Sequence, residues 1–173
     1  MAGDGGRRPS FIVDSMLGDL AKWLRIMGYD TLYSRHYKDW QLLKMASESS
    51  RVLVTRDSGL YWKARRRGIR AVYIASDNIA GKLAEMALKA GVELAAEPSR
   101  SRCPECNGRL KLVKDKSLVE SRVPPASLGV HEEFYACTRC GKVYWEGAHW
   151  RNIRRILSEA RVMYEDLRRR SKT

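Results

Sequence analysis

No stretch of the chain is apolar for long enough to cross a bilayer, which excludes a membrane-spanning helix. The amino terminus also lacks the apolar segment and small-residue cleavage site of a secretory signal, so the expectation is a soluble, intracellular, cytoplasmic protein. Cysteine is scarce. There are only four, all in two CxxC pairs, which argues against a disulfide framework and for metal ligation. Acids are few beside bases, 20 Asp+Glu against 33 Lys+Arg, and a formal charge of +13 favours a polyanionic partner such as RNA or DNA. Apolar residues, at 44%, suffice for a real core, and 173 residues suit one domain with a small appendage.

Residues 1–9 are Gly-rich and aperiodic, and read as a flexible leader. An α/β domain is expected over 10–98. It opens on Phe11-Ile12-Val13, three apolar residues that suit a strand covered on both faces. Asp14 then falls at the carboxyl end of that strand, the edge where open α/β sheets bind ligands. Leu17, Leu20, Ala21, Leu24 and Met27 follow at helical spacing, with Ser15 as a candidate cap and Gly28 as a stop. Further strands read at Thr31–Tyr33, Arg51–Thr55 and Ala71–Ile74, with helices between them. Strand and helix alternate four times with short connections, the pattern of a parallel sheet flanked by helices.

The rhythm stops near Glu97-Pro98-Ser99-Arg100, and a second unit is expected over 99–149. Cys103-Pro104-Glu105-Cys106 and Cys137-Thr138-Arg139-Cys140-Gly141 are two knuckles, 30 residues apart, each able to present two thiolates to one ion. Four thiolates make a closed tetrahedral zinc site, so Cys103, Cys106, Cys137 and Cys140 are expected to hold a structural zinc in a zinc ribbon. A segment this small has little apolar surface, and the ion should supply much of its folding free energy. From 150 to 173 the chain reads as a basic amphipathic helix, with Ile153, Ile156, Leu157, Ala160, Tyr164 and Leu167 on its apolar stripe.

Asp14, Asp39, Asp57 and Asp77 each adjoin an element in a way that can bring them to one edge of the sheet. Asp14 and Asp57 are the firmest, because each lies just past a buried strand. Carboxylates gathered without basic partners repel, and a hard cation such as magnesium or manganese relieves that repulsion. Two such ions about 4 Å apart activate water and stabilise the leaving oxygen in phosphodiester hydrolysis. Capping is the alternative: Asp14 shares it with Ser15, Asp77 reads as a cap before a ligand, and for Asp39 both roles stay open. Lys63, Arg65, Arg66 and Arg67, after Asp57, are candidate RNA phosphate contacts, as are Arg151, Arg154 and Arg155 on the terminal helix. Ordinary solvated helix faces are the plainer reading of both runs. His36, His131 and His149 suggest structural or surface roles; the five Trp read as packing residues before stacking platforms, with Trp145 and Trp150 the two to test for base stacking.

The motifs Phe11-Ile12-Val13-Asp14, Met16-Leu17-Gly18, Leu20-Ala21-Lys22-Trp23-Leu24-Arg25, Gly28-Tyr29-Asp30 and Leu53-Val54-Thr55-Arg56-Asp57 resemble the Mut-seven C-terminal RNase domain family. The resemblance continues through Arg102–Gly108, Arg122-Val123-Pro124-Pro125, Cys137–Trp145 and Gly147–Trp150, and spans about residues 10–157. It implies a PIN-like nuclease fold joined to a zinc ribbon, with Asp14 as the first-strand ligand, Asp39 as the acid opening a later helix and Asp57 as the acid of a Thr-x-Asp motif. Larger PIN domains carry one more acid on a middle helix, for which Glu48 and Asp19 are the positions to weigh. The expectation is a Mg/Mn-dependent ribonuclease. The rival is a non-catalytic RNA-binding or ribosome-associated module that contacts ribosomal RNA through its ribbon and basic helix.

Overall fold

In the computed structural model, which describes residues 8–172, four short apolar runs form a parallel sheet. They are β1 (Phe11–Val13), β2 (Thr31–Tyr33), β3 (Val52–Thr55) and β4 (Ala71–Tyr73), in the order β2-β1-β3-β4. The two central strands are buried at every position and the two edge strands only in part, as a sheet with helices on both faces requires. Between the strands run α1 (Gly18–Ile26), α2 (Asp39–Ser49) and α3 (Ser58–Arg66), and α4 (Ile79–Ala90) follows β4.

Side chains of a strand alternate between faces, and the core divides accordingly. Phe11, Val13, Val52 and Val54 pack with Leu20 and Leu24 of α1 and Leu83 and Met86 of α4. Ile12 and Leu53 point the other way, into Leu42, Leu43 and Ala46 of α2 and Leu60 and Ala64 of α3. The chain therefore winds one way from β1 to β2 and the other way from β3 onward. The switch between these directions falls between β1 and β3.

The terminal helix, α6 (His149–Arg170), lays Trp150, Ile153, Leu157 and Ala160 into the same core as α1 and α4. Consequently α4 is covered on two sides, which explains why Ala80 through Met86 are all buried. Arg161 fixes the helix further by donating from Nε and Nη2 to the Leu94 carbonyl, at 3.0 and 2.7 Å. Of the leader expected over 1–9, residues 1–7 lie outside the described residues. Arg8 is held: it donates to the Met27 carbonyl (3.3 Å), pairs with Glu93 (2.9 Å) and lies over the Tyr29 ring.

The connection from β4 to α4 rests on one buried acid. Glu85 accepts from the backbone N–H groups of Ala75 and Ser76 and from Lys89 Nζ. Burial raises its pKa, but Lys89 and the Ser76 bonds outweigh burial and hold it below the usual carboxylate value. Its contribution is therefore present above about pH 4.3, the unfolded value, and lost as pH falls through the lower folded value. Glu85→Ala, which strands these donors, is expected to cost about 3 kcal/mol at neutral pH. In a denaturant titration the deficit relative to wild type should shrink as pH falls below 4.

The second unit has three antiparallel strands, β5 (Leu110–Val113), β6 (Phe134–Cys137) and β7 (Val143–Tyr144), with the short helix α5 (Pro125–Val130) between β5 and β6. Its own core holds four buried residues, Val119, Val123, Phe134 and Val143. The first knuckle docks against the end of α1 and the start of β2. Buried Arg25 donates from Nε to the Thr31 carbonyl (2.9 Å) and from Nη1 to the carbonyls of Pro104 (2.8 Å) and Glu105 (3.2 Å). Asn107 accepts from the Thr31 N–H (3.0 Å) and donates to Asp30 Oδ1 (2.7 Å).

Candidate functional site

Because β1 and β3 are neighbours in a parallel pair, their carboxyl ends bring Asp14 and Asp57 to one edge at the winding switch, the usual position for a ligand in such sheets. A single hydroxyl links them. Thr55 Oγ1 donates to Asp14 Oδ2 at 2.8 Å and accepts from the Asp57 backbone N–H at 2.9 Å. Asp14 is buried, and its Oδ1 accepts from Ser15 Oγ at 3.2 Å. It makes no capping bond to the turn at Ser15–Leu17, so capping is not what places it. Asp57 is exposed and does cap: its Oδ1 accepts from the Leu60 N–H of α3 at 2.9 Å. Its second oxygen carries no hydrogen bond among the described residues.

Asp39 is exposed, the first residue of α2 behind Lys38, and α2 begins at the same carboxyl edge. Among the described residues, no Lys or Arg pairs with Asp14, Asp39 or Asp57. The three acids share an edge but not a tight shell. Among the described residues, the one group of three or more Cys, His, Asp or Glu with gathered donor atoms is the four cysteines. The donor chemistry nonetheless suits a hard cation, since Asp14 and Asp57 offer carboxylate oxygens with neutral partners.

The other acids behave differently. Asp77 does not cap α4; Asn78 does, accepting from Gly81 N–H at 2.8 Å, while Asp77 pairs with Arg56 at 2.7 Å. Asp19, in the first turn of α1, pairs with Lys82 at 2.7 Å, and Glu48 lies at the far end of α2 near Lys44. The edge is shaped by close packing as well. Tyr33 Oη donates to the Ser15 carbonyl at 3.1 Å, and a Cβ on Gly18 would come within 2.6 Å of that oxygen.

Around this edge stand apolar side chains that periodicity gave no reason to select. Met16, two residues after Asp14, is 66% exposed, and Trp40, beside Asp39, is 64% exposed. Trp150 is instead buried in the core, and Trp145 packs against Phe134 with ring centroids 6.2 Å apart. The basic residues divide by position. Lys63, Arg65 and Arg66 occupy the last turn of α3 and Arg67 its carboxyl cap, so Arg66 lies about 12 Å along the helix from the start beside Asp57. On α6, Arg154 pairs with Glu146, and Arg155 bonds Glu159 (2.5 Å) and Asn152 (2.7 Å), whereas Arg151 is exposed with no side-chain partner among the described residues.

The second centre is built of sulfur. The Sγ atoms of Cys103, Cys106, Cys137 and Cys140 all lie within 4.8 Å of one another, with Cys103 to Cys140 at 3.7 Å and Cys106 to Cys137 at 3.4 Å. A tetrahedral zinc with bonds near 2.3 Å separates its sulfurs by about 3.8 Å, whereas a disulfide needs about 2.05 Å. The cluster could therefore hold zinc. Its backbone agrees: Asn107 and Gly141 turn through positive φ (65° and 75°) after their knuckles, and a Cβ on Gly108 would come within 2.6 Å of Cys137 Sγ. Burial pushes the Cys137 thiol up, but the N–H groups of Cys140 and Arg139 at its sulfur bring it down to about 7. Tyr144 Oη stands 3.0 Å from Cys103 Sγ; burial first and that sulfur second push the hydroxyl up, so it stays protonated.

Comparison with known proteins gives one finding: the model of a family described as Mut7-C RNAse domain matches residues 9–157. No curated protein and no solved structure matches the chain.

Proposed function

The chain belongs to the Mut7-C RNAse domain family, and from that premise we propose that it is a metal-dependent ribonuclease, with a PIN-like sheet that hydrolyses RNA phosphodiester bonds at its carboxyl edge. The observation that carries this reading is the Thr55 hydroxyl, which ties buried Asp14 to Asp57 at the winding switch, with no Lys or Arg paired to either acid among the described residues. Magnesium or manganese held by Asp14 and Asp57, with Asp39 as a third ligand from α2, would supply Lewis acidity and an acidified water. Thr55 and Ser15 hold the Asp14 carboxylate in one orientation, so the acid needs no rearrangement when charge arrives. Asp57 is held through its cap to α3, and its other oxygen has no partner among the described residues.

RNA lies across this edge in our reading, its bases against Trp40 and Met16 and its phosphates on Lys63, Arg65, Arg66, Arg67 and Arg151, with Arg154 and Arg155 secondary because they are already paired. A stacking contact is worth about 1–3 kcal/mol per base. Trp40→Ala is therefore expected to raise KM for RNA by about tenfold while leaving kcat nearly unchanged. Four thiols in a zinc shell suit a reducing cytoplasm, where we place the protein. Among the described residues, no helix is long and apolar enough to cross a membrane.

Zinc-loaded protein incubated with labelled RNA tests the proposal. Cleavage that requires added manganese or magnesium supports it. Salt-resistant, stoichiometric co-sedimentation with ribosomes, without metal-stimulated cleavage, would overturn it in favour of a non-catalytic RNA-binding module.

A further inference from the structure

At the amino edge of the sheet, opposite the aspartates, lies a cavity of about 570 Å³ that neither the nuclease reading nor the zinc centre uses. Asp30, Arg51 and Arg70 immediately precede β2, β3 and β4, so the topology brings all three to this edge. Arg8 joins them ahead of β1, and the second unit adds Arg102 and Arg109, which face each other across an isolated antiparallel bridge. Five guanidiniums thus line one concavity, with Asp30 as its acidic member.

The charges are not balanced. Arg51 pairs with Asp30 at 2.9 Å and Arg8 with Glu93 at 2.9 Å. Arg102 spends one donor on the Asn107 carbonyl. Arg70 and Arg109 have no side-chain partner among the described residues. Three of the five therefore lack a carboxylate. Arg51 also carries an unmet donor: its Nη atoms bond Asp30 and the Phe11 carbonyl, but its buried Nε has no acceptor. Among the described residues it is the one buried side-chain nitrogen or oxygen so left. A buried donor without an acceptor is costly, and like charges brought together repel. An anion with several oxygens in the cavity relieves that repulsion, and guanidinium forks match phosphate geometry.

We propose that this cavity is an oxyanion site for a phosphate monoester, as presented by a phosphorylated end of an RNA strand or by a free nucleotide. A concave space of this volume falls in the range of small-ligand sites. Arg51 and Asp30 form its floor. Asp30 is suited to stay charged there: burial raises its pKa, but bonds from Arg51 and Asn107 and the charge of Arg102 outweigh that and hold it low. Arg70 and Arg109, exposed and unpaired, are the arms that close on the ligand. The assignment does not depend on chemistry at the opposite edge.

The test is calorimetric titration of the zinc-loaded full chain, without added magnesium or manganese, against AMP and adenosine, and against an oligoribonucleotide with a phosphorylated or an unphosphorylated end. At least one phosphorylated ligand is expected to bind about tenfold or more tightly than its unphosphorylated partner. AMP alone showing the preference identifies a free nucleotide, and the oligonucleotide alone identifies an RNA end. The double variant Arg70→Ala/Arg109→Ala, which breaks no bond, should erase the preference with an unchanged circular dichroism spectrum. Lys111→Ala/Lys114→Ala removes the same charge from exposed positions outside the cavity and should leave it intact. No phosphate preference in either ligand pair would overturn the proposal. So would a preference that survives loss of Arg70 and Arg109, or one that falls equally in the control.

Discussion

Asp14→Asn is expected to lower metal-dependent RNA cleavage by about a thousandfold, since a bound cation contributes several kcal/mol to transition-state charge stabilisation. The substitution keeps the size of the side chain and an acceptor for Thr55, so it removes charge more than shape. Asp57→Asn is the more discriminating variant. Asparagine caps helices as well as aspartate does, so the bond from the Leu60 N–H survives and stability should stay within about 0.5 kcal/mol of wild type. Cleavage should still fall by a comparable factor. A variant that is stable and fully active would mean that Asp57 is a helix cap and nothing more. Asp57→Ala would confuse the two roles, because it removes cap and ligand together.

Stripping zinc, or replacing Cys106 by Ser, is expected to unfold the second unit. Four buried apolar residues cannot hold a three-stranded sheet together, whereas structural zinc contributes on the order of 10 kcal/mol in small metal-stabilised folds. The effect should pass into the first unit through named contacts. With the knuckle gone, Arg25 loses the Pro104 and Glu105 carbonyls and Thr31 loses Asn107. Each buried group left unsatisfied costs about 1–3 kcal/mol. Hydrogen exchange before and after chelation should therefore show loss of protection at β5 to β7 and weakened protection at the end of α1 and the start of β2, with β3 little changed. Equal protection with and without chelator would contradict a zinc-dependent fold. So would loss confined to the knuckles.

Short-range chemistry was legible in the sequence. Apolar runs of three or four residues ending at Val13 and Thr55 marked the central strands, and paired CxxC spacing brought the four sulfurs together before any coordinates. Contacts between elements distant in sequence were not. Packing is the commoner expectation for Trp150, but nothing in its neighbourhood says that the core it enters is the one α6 shares with α4. Asp77 looked like a cap because Asp before a helix usually is one; Asn78 competed for the same role and won, leaving Asp77 to Arg56. Thr55 carried a signal that could have been used. A Thr two residues before Asp57 at a strand end places its hydroxyl between neighbouring strand ends, where it can serve two aspartates. Asn107 carried another, since Asn-Gly after a knuckle is a turn, though its bond to Thr31 crosses 76 residues of chain.

The central claim is that Asp14 and Asp57 act together on a divalent ion at the carboxyl edge. Manganese titration of zinc-loaded protein, followed by the loss of the free-ion electron paramagnetic resonance signal, tests it without reliance on any RNA substrate. Saturable binding in the wild type, weakened about tenfold or more in both Asp14→Asn and Asp57→Asn, is the expected result. Manganese binding of equal strength in all three proteins, or none in the wild type, would contradict it.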